Sequence, residues 1–167
     1  MNTDNITEQT TEQTQESELE GGAVEFLEGI IEKMGFDAFI SEVNYSEDGR
    51  DISVEIEGPD SGRLIGRQGQ TLDALQLLLS RTVDRTGERR RRVSVDVEGY
   101  RHRRDQELEK MAAGMAKEAV EYGRTVHMDP MTARERRIVH ICLRDSGEVQ
   151  TESEGTGEDR HVCIIPL

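Results

Sequence analysis

The stretch GRLIGRQGQTLDALQLL, residues 62–78, reads as two helical segments separated by Gly66-Arg67-Gln68-Gly69. Leu64 and Ile65 belong to a short first helix. After Gly69, Leu72, Leu75, Leu79 and Val83 recur at helical spacing and form the apolar face of a longer helix, which Thr86-Gly87 ends. Upstream, Pro59-Asp60-Ser61-Gly62 breaks the chain, and Ile52, Val54 and Ile56 alternate as a half-buried strand. Ser46-Glu47-Asp48-Gly49 predicts a turn, with Ala38, Ile40 and Val43 in a strand before it. Phe26, Leu27, Ile30, Ile31 and Met34 predict a helix stopped by Gly35. Downstream, Val93, Val95 and Val97 alternate as a third strand. The order is α-β-β-α-α-β.

Gly99 marks a boundary. A long helix follows from Tyr100 to about Tyr122, with Leu108, Met111, Ala112, Met115 and Ala119 on its apolar face. Arg124 to His127 read as a short strand. Thr132 and Glu135 form a capping box that opens a helix running to about Asp145. Val149 and Thr151 start a strand. Gly155 to Asp159 turn, and Val162, Ile164 and Ile165 make a last strand ended by Pro166. This half reads α-β-α-β-β. The expected fold class is therefore α+β, with two small α/β modules at residues 23–98 and 99–167. Residues 1–22 are low-complexity Thr, Gln, Glu and Asn, which cannot offset their ordering entropy by burial, and are expected to form a disordered acidic tail.

Composition agrees with a divided core, because only 34% of the 167 residues are hydrophobic and 34% are charged. No apolar run is long enough to span a bilayer, so no stable membrane insertion is expected. The N-terminus lacks the pattern of a secretory signal. Two cysteines make no disulfide framework, and no Cys/His cluster has zinc-finger spacing, so neither a metal nor a cofactor is expected. The default location is cytoplasmic. Net charge is −14, yet its distribution is uneven: residues 1–60 carry 17 acids and 2 bases, whereas residues 61–104 carry 11 bases and 5 acids. All 11 of those bases are Arg, which makes forked phosphate contacts that Lys cannot. Such asymmetry points to polyanion binding, with a solvated arginine face as the competing reading.

Two motifs sharpen that reading. In Gly66-Arg67-Gln68-Gly69, glycine lets a phosphodiester backbone approach closely, Arg67 adds a charge, and the next helix N-terminus offers free N–H groups. Ile65, with Val54 and Ile56, would floor an apolar groove for bases. The loop is read as exposed, so Asp at both glycines should weaken binding with little effect on stability unless a glycine needs positive φ. The second motif is Arg136-Arg137-Ile138-Val139-His140. Arg136 and His140 are i, i+4 neighbours, and Arg137 and Arg144 share their stripe, opposite Ile138, Val139, Cys142 and Leu143. Taken alone, an Arg and a His at this spacing are more often a solvated face. A cationic His140 would strengthen binding between about pH 7.5 and 6.

Residues 62–78, placed after two strands and before a third, resemble the K-homology (KH) fold in its type II order. In that family the GxxG loop clamps about four single-stranded nucleotides. The Arg-x-x-x-His helix after PMTARE, followed by SEGTGEDRHVCIIP, closely resembles the R-3-H domain, a small α/β domain that binds single-stranded nucleic acid. The resemblance implies that Ile65, Gly66, Arg67, Gln68 and Gly69, and Arg136 and His140 with Arg160 in support, hold the strand. A KH domain followed at once by an R-3-H domain, joined by VEGYRHRRDQELEKMA, resembles the bacterial Jag family, also called SpoIIIJ-associated or KhpB. That resemblance implies an RNA-binding regulator linked to cell elongation or envelope growth, with single-stranded RNA and a small single-KH-domain protein as partners. Members often carry a separate N-terminal Jag domain; only 22 residues precede the KH stretch here, so its roles are not carried over.

Arg89, Arg90, Arg91 and Arg92, with Arg101, Arg103 and Arg104, read either as a phosphate track or as a solvated edge that discourages strand pairing. Cys142 and Cys163 read as buried small hydrophobes, Met111 and Met115 as core filler, and His127 and His161 as strand residues without chemistry. No Ser/His/Asp set, Walker loop, metal triad or carboxylate pair stands at usable spacing, so the expectation is not an enzyme. The alternatives are a single-stranded DNA binder and a protein-interaction adaptor with vestigial nucleic-acid surfaces. The residues give no signal for or against a homo-oligomer.

Overall fold

The computed structural model describes residues 22, 24–46, 51–86 and 91–167. Two compact units divide the chain, Met1–Gly99 and Tyr100–Leu167. The expected acidic tail, apart from Gly22, and the expected turn after Ser46 lie outside the described residues.

The first unit begins with helix α1 (24–34), which buries Leu27 and Ile31. Gly35 ends it at φ +67°: its N–H donates to the Glu32 carbonyl at 2.9 Å, and that of Phe36 to the Ile31 carbonyl at 3.3 Å. This is a Schellman cap, which needs the left-handed conformation that glycine adopts without a Cβ penalty. Strands β1 (Phe39–Tyr45), β2 (Asp51–Glu57) and β3 (Arg92–Val97) form one sheet, antiparallel between the first two and parallel between the last two. A parallel pair needs a crossover. Helix α2 (Ser61–Ile65), a 3₁₀ turn (Arg67–Gly69) and helix α3 (Gln70–Thr86) supply it.

Ile52 pairs with Val93, Val54 with Val95 and Ile56 with Val97, and all six are buried. Leu64, Leu72, Leu75, Leu79 and Val83 are buried with them, so the stripe expected for α3 is the one it uses. Full burial of each such side chain stabilises the fold by about 1.5–3 kcal/mol. The uneven spacing of Ile40 and Val43 has a structural cause. Ile40 pairs with Ile56 and Val43 with Val54, so a bulge between Ile40 and Glu42 puts both on the same side of the sheet.

The second unit packs helices α4 (Tyr100–Tyr122) and α5 (Ala133–Leu143) on a sheet ordered β4-β6-β5, made of β4 (Val126–His127), β5 (Val149–Glu154) and β6 (His161–Pro166). Its core holds Leu108, Ala112, Ala119, Met128, Met131, Val139, Leu143, Val149, Val162 and Ile164. Met115 packs against this core, but Met111 is exposed, contrary to expectation. At about 100° per residue, Leu108, Ala112, Met115 and Ala119 stay within a narrow stripe and Met111 falls outside it. The expected capping box is present. Glu135 N–H donates to Thr132 Oγ1 at 3.3 Å, and Thr132 N–H donates to Glu135 Oε2 at 2.9 Å. Both units have the element order expected of them, and the fold is α+β.

Candidate functional site

The loop between α2 and α3 is shaped by three left-handed residues: Gly66 at φ +70°, Gln68 at φ +52° and Gly69 at φ +80°. Gly66 caps α2, its N–H donating to the Gly62 carbonyl at 3.0 Å. Arg67 is exposed, Gln68 and Ile65 are half-buried, and Gly69 is buried. A Cβ on Gly66 would sit 2.1 Å from Thr71 Oγ1, so this glycine serves close packing within the chain. The expectation that Asp at both glycines would leave stability nearly untouched is therefore corrected. Both positions need positive φ, and one is walled by Thr71. The apolar floor is corrected as well. Val54 and Ile56 are fully packed inside the unit and cannot face a groove, which leaves Ile65 as the half-exposed apolar residue beside the loop.

The second motif sits on α5. Arg136, Arg137, His140 and Arg144 share one face of the helix, as their spacing requires, and with Ala133, Ile141 and Ser153 they line an open basin of about 480 Å³. Arg136 is half-buried, and its Nη1 donates to the Met131 carbonyl at 2.9 Å. That bond fixes one corner of the guanidinium while the residue lines the basin.

His140 is held more tightly. Its Nδ1 lies 2.6 Å from Thr151 Oγ1 and its Nε2 2.9 Å from Ser153 Oγ, both on β5. Hydroxyls donate or accept, so one can take the ring N–H and the other can donate to the bare nitrogen. Burial first, and then the charge of Arg136, hold this imidazole below its ordinary pKa. His140 is accordingly a neutral brace between α5 and β5. Thr151 and Ser153 escaped the sequence reading. Their signal was two hydroxyl residues alternating with Val149 on the inward side of a strand.

Other site residues fall in mixed positions. Arg160 does not line the basin; its Nη1 donates to the Gly155 carbonyl at 3.2 Å within the hairpin turn. Among the arginines read as a phosphate track, Arg89 and Arg90 lie outside the described residues. Arg104 is removed from that reading. Its Nε donates to Glu135 Oε1 at 2.8 Å, and the Glu135 side chain is only 3% exposed. Burial pulls the Arg104 guanidinium down, but the hydrogen bond and charge of Glu135 outweigh it, and the group stays a cation. Arg92 is exposed and makes a two-point pair with Asp51, its register partner, at 2.8 and 3.0 Å. Arg91 and Arg101 are half-buried and Arg103 is exposed.

Cys142 is exposed, not buried as expected, because it lies on the outer flank of α5 with its Sγ 3.9 Å from the Glu109 carbonyl. Cys163 is buried as expected. His127 and His161, read as inert, meet across β4 and β6. Among the described residues, no helix is long and apolar enough to cross a membrane.

Comparison with known proteins fits this division. A family model described as "KhpA/KhpB, KH domain" matches residues 24–97, and one describing the R-3-H domain matches residues 106–166. The chain is 40% identical over 146 residues to a protein of Clostridium symbiosum named RNA-binding protein KhpB, covering 87% of this chain and 65% of the relative. A Bacillus subtilis (strain 168) protein of the same name is 32% identical over 126 residues, covering 74% of this chain and 61% of the relative. One from Streptococcus pneumoniae serotype 2 is 32% identical over 139 residues, covering 83% and 42%. The chain thus spans less than two-thirds of the length of these relatives.

Proposed function

Since the chain belongs to the Jag/KhpB family, with a KH domain followed by an R-3-H domain, we propose that it is a non-enzymatic regulator that binds single-stranded RNA. The observation that carries this reading is the α5 basin, where Arg136, Arg137 and Arg144 line one open surface beside neutral His140. Arginine forks hold phosphate at two points, and an open surface admits a chain that continues past the site. The KH loop supplies the second contact: Arg67 and Gln68 stand between two buried or half-buried glycines at the start of α3, with Ile65 adjacent for base contact. Arg160 stiffens the hairpin turn, Arg92 is neutralised by Asp51, and Arg91, Arg101 and Arg103 add positive charge within their own units. We extend the proposal to a cytoplasmic location, a small single-KH-domain partner and a role in cell elongation, as the family resemblance implies.

The test is fluorescence anisotropy with labelled single-stranded RNA and DNA of equal sequence, in a salt series. Saturable RNA binding without cleavage is expected, because phosphate contacts release counterions and the 2′-OH separates RNA from DNA. Arg136→Ala should weaken binding and flatten the salt slope by roughly 0.7 for one lost single-strand phosphate contact. A parent that binds neither nucleic acid at low salt overturns the reading. A parental slope in Arg136→Ala removes α5 from the interface.

A further inference from the structure

The outward face of the second unit's sheet carries a cluster outside the RNA-binding surface. His127 ends β4, Cys163 is its register partner on β6, and Glu152 is the partner of Cys163 on β5. Two residues back along β6, His161 pairs with Glu154. Paired residues, and residues two apart on a strand, point to one side of a sheet. His127 Nδ1 lies 3.2 Å from His161 Nε2 and 3.2 Å from Cys163 Sγ. With a Glu154 carboxylate oxygen, these four ligand atoms all lie within 4.8 Å of one another.

We propose that His127, Glu154, His161 and Cys163 form a site for a divalent transition cation, Zn²⁺ foremost. Three features support it. Tetrahedral bonds of the usual Zn–N and Zn–S lengths put neighbouring ligand atoms about 3.3–3.6 Å apart, close to the two spacings observed. Two imidazoles, one thiolate and one carboxylate form a borderline-soft donor set suited to zinc. The orientation of His161 is the third. Its Nδ1 lies 2.9 Å from the Asp159 carbonyl, which can only accept, so Nδ1 carries the proton and Nε2 turns a lone pair toward His127 and Cys163. Metal-bound histidines are held by this kind of outer hydrogen bond. Loading would form a metal–Sγ bond as the Cys163 thiol gives its proton to solvent, and would tie the two-residue β4 to β6 and β5.

Burial, and then the hydrogen bond and charge of Glu154 with the charge of Glu152, push this thiol up to about 11. A thiol ligates metal as the thiolate, so uptake near neutral pH releases one proton from Cys163. The probe is Co²⁺ titrated into the reduced, chelator-treated full chain. One equivalent should give tetrahedral visible bands and a near-ultraviolet thiolate charge-transfer band, and Zn²⁺ should displace it. Cys142→Ser, which removes the exposed thiol, should keep the spectrum, whereas Cys163→Ser should lose the charge-transfer band. Because Cys163 is buried, His127→Gln at an exposed position is the second variant. It should bind Co²⁺ roughly tenfold or more weakly, with an unchanged circular dichroism spectrum. Octahedral bands without charge transfer in the parent, a charge-transfer band lost in Cys142→Ser, or parental affinity in His127→Gln would each overturn the site. RNA binding does not enter any of these readouts.

Discussion

Replacing Gly66 by Ala should destabilise the protein by about 2–4 kcal/mol, a sum of two costs that can be measured apart. Gly66 sits at φ +70° and ψ −171°, a region that is nearly closed to residues with a Cβ. Holding Ala there costs on the order of 1–3 kcal/mol. The new Cβ would also lie 2.1 Å from Thr71 Oγ1 and 2.9 Å from Thr71 Cβ, so Thr71 must move. Its neighbours Leu64 and Leu72 are fully buried, and this limits how far the loop can yield; overpacking of this kind adds about 1 kcal/mol or more. Urea unfolding followed by circular dichroism reads the total, and the midpoint should fall by more than about 1 M. The double variant Gly66→Ala with Thr71→Ala separates the parts, because it removes the collision with the hydroxyl and leaves the backbone strain together with the 2.9 Å contact to the Cβ of residue 71. Partial recovery is expected. A parental midpoint in Gly66→Ala would refute the packing argument. If that stable variant lost RNA affinity, the glycine would be kept for approach of the ligand.

Arg67→Asp with Gln68→Asp puts two carboxylates at the loop tip while sparing both glycines, and Asp tolerates the left-handed conformation at position 68. RNA affinity should fall at least about tenfold by anisotropy, the scale of a lost charged hydrogen bond, with the unfolding midpoint nearly unchanged. Arg104→Met leaves the buried Glu135 carboxylate unpaired and should cost about 3 kcal/mol in urea unfolding. Its RNA affinity, measured while folded, should stay parental, which separates a structural arginine from a phosphate contact. For His140, the folded pKa lies below the unfolded one, so the unfolded state takes up protons first. Its share of stability is complete above the ordinary histidine value and is lost as pH falls through the depressed one; His140→Gln should flatten the thermal midpoint across that window.

What the sequence disclosed followed from periodicity and local chemistry. Leu72, Leu75, Leu79 and Val83 had to share a helix face, and Thr132 with Glu135 could hardly be anything but a cap. The stripe of Arg136, Arg137, His140 and Arg144 was likewise legible, because helix geometry alone puts those residues together. Features made by strand register were not legible. Nothing near His140 in sequence announces Thr151 and Ser153, and His127 meets His161 and Cys163 only once β4 lies against β6. Arg104 misled for the same reason: a run of arginines looks like one surface, yet one member turned inward to a carboxylate 31 positions away. Cys142 misled because helix α5 has a wide flank between its apolar and basic faces.

Arg136 and His140 divide the work of their motif in a way that bears on how a protein of net charge −14 could hold a polyanion. Residues 1–60 alone carry 17 acids against 2 bases, so attraction at long range is absent and approach to RNA is not steered. Beyond about 8–10 Å, salt screens most of this repulsion, and what remains is decided by contact. On the proposed reading, contact then rests on the arginines of α5, of which Arg136 is already held in place. The Met131 carbonyl fixes Arg136, and His140 braces α5 against β5 through two hydroxyls, staying neutral instead of adding charge. A site built this way loses little side-chain freedom on binding and gains affinity by preorganisation. It should therefore depend strongly on Thr151 and Ser153, residues that hold the brace and carry no charge, while its salt slope counts the arginine–phosphate contacts alone.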